Sequence, residues 1–118
     1  MSTVLLIDDE PSMAPLVSMC LEDTDASVVH AENLAAALEE AERGSPRVIL
    51  LDLSLGPEDG LQILPELRAH PALSNVPVVV FSVYDGRRSE AMEQQVSGFL
   101  SKPFKSHELR SQLSPYLR

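Results

Sequence analysis

Carboxylates close two strongly apolar runs in this sequence: Asp8-Asp9 follows Val4-Leu5-Leu6-Ile7, and Asp52 follows Val48-Ile49-Leu50-Leu51. Runs of this kind read as buried strands, so the acids stand where buried strands end. Carboxylates meeting there would repel one another, which a protein tolerates when a cation neutralises them or when the repulsion serves chemistry. Two further stretches end on Ser82 and on Lys102-Pro103. Three carboxylates make an oxygen-rich pocket for a hard divalent cation, and Mg²⁺ suits few protein ligands plus water. Asp52 can then act as a nucleophile on phosphorus, forming an aspartyl-phosphate. The cation would neutralise oxygens of the transferring group and Lys102 another. Ser82 would donate a hydrogen bond to a phosphoryl oxygen. Without metal, the same acids would repel the incoming group.

The elements that must position these residues alternate five times. Strands are predicted over 3–8, 26–31, 47–53, 77–82 and 98–101, and helices over 11–22, 33–43, 60–69, 86–96 and 105–114. The third and fourth strands are apolar almost throughout, as in a parallel sheet covered on both faces. The first helix carries Leu16, Val17, Cys20 and Leu21 as one stripe. The second ends at Gly44. The fourth, with Ala91, Met92 and Val96, has the thinnest apolar face, which suits an element held loosely enough to shift. Strict β-α alternation implies an open parallel sheet with right-handed crossovers. In such sheets the site lies outside the carboxyl ends of the strands, where Asp8, Asp9, Asp52, Ser82 and Lys102 converge.

Composition narrows the function classes. The 118 residues, 44% hydrophobic, fit one globular domain over 1–118. A net charge of −9 argues against holding nucleic acid or an anionic membrane directly. The first strand starts close to Met1, so no signal or transit peptide is expected, and no apolar run approaches membrane-spanning length. The single Cys20 excludes an internal disulfide and a zinc cluster and reads as a buried thiol.

Five segments in order carry a resemblance: Ile7-Asp8-Asp9-Glu10, Leu51-Asp52-Leu53, Asp59-Gly60-Leu61, Val76-Pro77-Val78-Val79-Val80 leading to Ser82, and Lys102-Pro103-Phe104. Over essentially its whole length the chain resembles a response-regulator receiver domain of bacterial two-component systems, chemotaxis-receiver-like. The resemblance implies a doubly wound (βα)5 three-layer sandwich of flavodoxin-like topology, its five-stranded parallel sheet in the order 2-1-3-4-5. Asp52 would be the phosphoacceptor, with a phosphohistidine on a sensor histidine kinase or phosphotransfer protein as donor. Asp9 would bind Mg²⁺ (or Mn²⁺) directly and Asp8 mainly through water, with Asp52 and the Ser54 backbone carbonyl as further ligands. Lys102 would pair with the phosphoryl group, Ser82 would be the switch hydroxyl and Phe99 the switch aromatic, turning into the space that Ser82 vacates. The face of the fourth helix, fifth strand and fifth helix would then change for a downstream protein target or effector domain, or for a homodimer. Such a domain is cytoplasmic and catalyses only its own phosphorylation and dephosphorylation.

Departures from the family pattern fall outside the acids. The usual proline four residues after the acceptor is Gly56, with Pro57 displaced by one. The family's glycine after the fourth helix falls on Gln95, which must find another cap or adopt a left-handed conformation. Pro65 lies in the body of the third helix, where a lost hydrogen bond and a kink are expected, while Pro15 stands near the start of the first. Tyr84 is expected to shield the phosphoryl group from water. Several polar residues have plain structural readings: Glu10 as a helix N-terminal charge, His30, His70 and His107 as structural, and Arg87-Arg88 as a solvated face. The alternative function is a receiver-fold interaction module that works without phosphorylation, whose mark would be a lost acid, acceptor or lysine. A flavin carrier would need hydroxyls and glycines where Asp8 and Asp9 stand. An aspartate-nucleophile phosphatase would need an acid where Ser54 stands.

Overall fold

A wholly parallel sheet is built from β1 (Ser2–Ile7), β2 (Ala26–Ala31), β3 (Val48–Asp52), β4 (Val78–Ser82) and β5 (Gly98–Ser101), in the order β2-β1-β3-β4-β5. The computed structural model describes residues 2–83 and 85–117, so Tyr84 and its expected shielding role lie outside the described residues. Helices α1 (Met13–Cys20), α2 (Leu34–Ala41), α3 (Gly60–Ala69), α4 (Arg88–Glu93) and α5 (Ser106–Leu113) follow the strands in turn.

The sheet is covered on both faces because its strands are apolar on both. Every residue of β3 is buried. Side chains alternate across a strand with a period of two. Ile49 and Leu51 therefore join Leu5, Ile7, Val78 and Val80 against Ala37 of α2, Leu61 and Leu64 of α3 and Ala91 of α4. Val48 and Leu50 join Val4, Leu6, Val79 and Phe81 against Val17 of α1 and Leu109 and Leu113 of α5. This is the doubly wound, flavodoxin-like sandwich, and β1 and β3 sit side by side at its centre.

Two helices differ from expectation. In α1, Val17, Cys20 and Leu21 are buried, but Leu16 is 44% exposed, so it is not part of the buried stripe. At about 100° per residue, Leu16 falls at the margin of the arc centred on Val17 and Leu21. The helix also begins at Met13, which leaves Glu10 ahead of it rather than in its first turn. The fourth helix is cut to six residues, preceded by a single 3₁₀ turn over Asp85–Arg87. Ala91 alone of that helix is buried, and Met92, expected in the core, is half exposed.

The chain leaves α4 through Gln95 at φ 61, a left-handed conformation for a residue with a side chain. The Arg68 guanidinium donates to the carbonyls of Gln94 and Gln95, so the exposed helix end is satisfied from α3. α3 runs from Gly60 to Ala69 with Pro65 inside it, so the lost hydrogen bond expected at Pro65 does not end the helix. Pro65 is on the exposed side of α3, where water can serve the carbonyl left without a helical donor.

A left-handed residue with a Cβ carries a cost of about 1 kcal/mol that glycine avoids. Gln95→Gly should therefore raise stability by about 0.5–1 kcal/mol in urea denaturation. A fall in the midpoint would show that the Gln95 side chain outweighs its backbone strain.

Candidate functional site

The parallel order brings Asp8, Asp9, Asp52, Ser82 and Lys102 to one edge. Asp8 follows β1, Asp52 is the last residue of β3, Ser82 is the last of β4, and Lys102 follows β5. The ladder registers fix their stagger: Asp52 stands opposite Phe81, and Ser82 opposite Ser101. The Lys102 amide donates to the Ser82 carbonyl at 2.8 Å, which continues the β4–β5 ladder into the lysine.

Asp52 is buried and held on both oxygens. Its Oδ1 accepts from the Ser54 amide at 3.0 Å, and its Oδ2 lies 3.1 Å from Lys102 Nζ. The lysine ammonium also rests 4.5 Å from the centroid of the Phe81 ring, a cation–π contact that lines up its approach. Asp8 is fully buried. Its Oδ1 accepts from the Glu10 amide at 2.8 Å. Its Oδ2 has no hydrogen-bond partner, and Lys102 Nζ stands 3.8 Å away, at ion-pair distance but beyond hydrogen-bond reach. Asp9 is exposed beside them, and oxygens of Asp8, Asp9 and Asp52 lie within 4.8 Å of one another. A buried carboxylate oxygen without a hydrogen bond is costly unless something occupies it. With two further carboxylates around it, the set fits a divalent cation.

Burial pushes the Asp8 carboxyl up to about 6, with the negative charges of Asp52 and Asp9 adding to the rise. The Glu10 amide and the Lys102 charge work in the opposite direction.

Backbone approaches tighten this edge. A Cβ on Gly60 would overlap the Asp52 carbonyl oxygen and come within 2.8 Å of Leu53 Cα. The Gly60 amide instead donates to the Leu53 carbonyl at 2.9 Å. Asp59 caps α3, accepting from the Leu61 amide at 3.0 Å. Gly56, at φ 67, turns a two-residue hairpin in which Ser54–Leu55 pairs with Glu58–Asp59. Positive φ at the first central position, with Pro57 at the second, is the pattern of a type II′ turn. A Cβ on Gly56 would stand 3.2 Å from Asp9 Oδ2. The displaced proline thus occupies the second central position of this turn.

Arg87 and Arg88 are not a simple solvated face. Arg87 lies 3.0 Å from Asp59 Oδ2 and 3.2 Å from Glu90 Oε1, tying the segment after Ser82 to the start of α3. Both carboxylates raise the pKa of its guanidinium. The Arg88 guanidinium stacks 4.7 Å over the Phe99 ring. Phe99 stands opposite Val80, on the sheet face away from α1 and α5, and is buried in this structure. No local sequence signal marks the Arg87–Asp59 pair, whose partners are 28 residues apart. His70 is structural, bridging Glu42 and the Ala72 amide, and His107 is exposed. The His30 imidazole, by contrast, reaches the Asp8 backbone carbonyl at 2.6 Å.

The family model for the response regulator receiver domain matches residues 4–114. The chain belongs to the response regulator receiver domain family. This receiver domain is 34% identical over 120 residues to the KDP operon transcriptional regulatory protein KdpE of Escherichia coli (strain K12), covering 100% of this chain and 52% of that protein. It is 30% identical over 114 residues to the transcriptional regulatory protein KdpE of Staphylococcus aureus, covering 95% of this chain and 48% of that protein. The chain spans about half the length of these curated relatives. Among solved structures, the chemotaxis response regulator CheY4 of Vibrio cholerae superposes with a TM-score of 0.85 at 25% identity, covering 99% of each chain.

Two predictions come from the receiver's site geometry. The folded pKa of Asp8 lies above its ordinary value of 3.8. The favourable contribution of its protonated form is therefore complete below about pH 4 and lost as pH rises through about 6. At pH 7 without metal, the ionised group costs on the order of 3 kcal/mol. Asp8→Asn should stabilise the metal-free domain at pH 7 by a few kcal/mol, and the gain should vanish near pH 4. Urea titrations in chelator at the two pH values test this, and an equal shift at both would contradict it. In a double-mutant cycle, Arg87→Gln and Asp59→Asn (which keeps the cap) should couple by about 0.5–1 kcal/mol. Additive effects would mean that the ion pair carries no net stability.

Proposed function

We propose that residues 1–118 form a single phosphoacceptor receiver domain in a two-component phosphorelay, with Asp52 as the acceptor. The observation that carries this reading is the Asp52 carboxylate 3.1 Å from Lys102 Nζ, beside a buried Asp8 Oδ2 that has no hydrogen bond.

In the proposed reaction a carboxylate oxygen of Asp52 attacks the phosphorus of a phosphohistidine on a sensor histidine kinase or phosphotransfer protein. The O–P bond forms as the P–N bond breaks, and the electron pair returns to the donor imidazole. Asp8, Asp9, Asp52 and the Ser54 backbone carbonyl would hold Mg²⁺ or Mn²⁺, which supplies positive charge to the phosphoryl oxygens. The Ser54 amide orients Asp52 by its bond to Oδ1. Lys102, already within an ion pair of Asp52, takes the charge of a phosphoryl oxygen as it arrives. Ser82, at the end of the neighbouring strand, donates a hydrogen bond to another. Drawing Ser82 inward moves the segment that leads through Arg87 into α4. That helix resists little, since it is six residues long and buries only Ala91. The face of α4, β5 and α5, with Phe99 as its switch aromatic, then presents a changed surface to a downstream protein target or effector domain, or to a second copy.

The domain acts on itself rather than on a separate substrate, catalysing its own phosphorylation and dephosphorylation. No helix among the described residues is long and apolar enough to cross a membrane, and the proposed location is the cytoplasm.

The test is intact mass after incubation with Mg²⁺ and acetyl phosphate or phosphoramidate. One phosphoryl group should be gained by the parent, and none by Asp52→Asn or in the presence of chelator. Lys102→Ala should slow the gain by about 10²-fold. No gain from any donor, with the fold intact, would favour an interaction module indifferent to phosphate.

A further inference from the structure

We infer that His30 is a positioning residue for the cation site, holding the Asp8–Asp9 peptide from the neighbouring edge strand. This rests on the proposal that Asp8, Asp9 and Asp52 bind a divalent cation.

Asp8 is fully buried, so each of its polar backbone groups needs a partner. The amide donates to the Ala31 carbonyl at 3.0 Å, the last bond between β1 and β2. The carbonyl points past the end of that ladder, because β2 stops at Ala31. Among the described residues no backbone N–H reaches it. The His30 Nε2 does, at 2.6 Å. A carbonyl oxygen can only accept, so Nε2 carries the proton whatever the state of Nδ1.

The register explains the reach. His30 stands opposite Leu6 in the β1–β2 ladder. Asp8 is two residues beyond Leu6, so the period of two brings it back toward the same face. An imidazole on the edge strand therefore lies along the path to the Asp8 carbonyl, whereas an aliphatic side chain there would leave that oxygen unpaired.

The bond acts on the acids through the backbone. The peptide that carries the Asp8 carbonyl also carries the Asp9 amide, so fixing its plane fixes where the chain turns off β1. Asp8 is then tied at three atoms: its amide to Ala31, its carbonyl to His30, and its Oδ1 to the Glu10 amide. Only Oδ2 is left without a hydrogen bond, 3.8 Å from Lys102 Nζ, in the carboxylate that clusters with those of Asp9 and Asp52. Groups that hold a ligand from outside its coordination contacts set metal affinity by fixing its orientation.

The experiment compares Mg²⁺ dissociation constants, by isothermal titration calorimetry, for the parent, His30→Leu, His30→Gln and His70→Leu. A glutamine places an amide N–H near the position of Nε2, and a leucine does not. His70 serves as a control, a half-buried histidine paired with Glu42 away from the site. His30→Leu should weaken Mg²⁺ binding by about tenfold, and His30→Gln should stay within about twofold of the parent. His70→Leu should lose stability with no change in Mg²⁺ affinity. Unchanged affinity in a folded His30→Leu variant would overturn the inference, as would equal weakening by Leu and Gln. If the parent itself binds no Mg²⁺, the cation site fails and the role of His30 fails with it. That outcome is distinct from a parent that binds while its His30 variants bind equally well.

Discussion

Negative charge gathered at the buried end of a parallel sheet is the constraint on which this receiver domain turns. Asp8 is fully buried and Asp52 nearly so, with Asp9 beside them at the surface. Lys102 pairs closely with Asp52 and more loosely, at 3.8 Å, with Asp8. One lysine thus offsets only part of the charge, and the rise of the Asp8 carboxyl to about 6 reflects what is left over. A site fully neutralised by the protein would have no use for a cation or for an electropositive phosphorus. Here the fold tolerates an unsatisfied Asp8 oxygen, and the surrounding core of β1 and β3 supplies the stability that such a group withdraws.

Holding those carboxylates requires the backbone to come unusually close. Gly60 is needed because its neighbour is the Asp52 carbonyl, and Gly56 because its φ of 67° is a conformation that side chains rarely adopt. Gly56 turns a short hairpin and Gly60 follows it; the hairpin's last residue, Asp59, caps α3 and accepts from Arg87. The loop after the acceptor and the segment after Ser82 are therefore joined by an ion pair. Beyond that pair, the neighbouring Arg88 stacks on the Phe99 ring.

Stability is distributed unevenly around that centre. β1 and β3 are lined on both faces by buried aliphatic side chains and carry the acids. The α4 region is short, poorly buried, and ends in a left-handed Gln95 whose carbonyl is served by Arg68. Densely buried strands and a short, exposed helix differ in this way in the free energy of local opening.

The fold and the candidate acids were legible in the sequence because both follow from local pattern. Buried parallel strands must be apolar on both faces, and the residue types that end them stand out by contrast, as Asp8, Asp52, Ser82 and Lys102 do. The family segments then carried the strand order, which periodicity alone does not contain. Side-chain roles that depend on partners far along the chain were not legible. Arg87 and Arg88 read as solvent-facing charges until Asp59 and the Phe99 ring were placed against them. His30 read as structural until β2 lay beside β1 and brought its imidazole to the Asp8 carbonyl. Leu16 and Met92 read as core because hydrophobic spacing gives a face its direction but not its width. Sequence determined which residues could do the chemistry, since that is a property of each side chain and its neighbours. Tertiary structure alone decided how Asp8 is held, because its amide donates to Ala31 and its carbonyl accepts from His30 only once the sheet edge is assembled, leaving Oδ2 without a hydrogen bond.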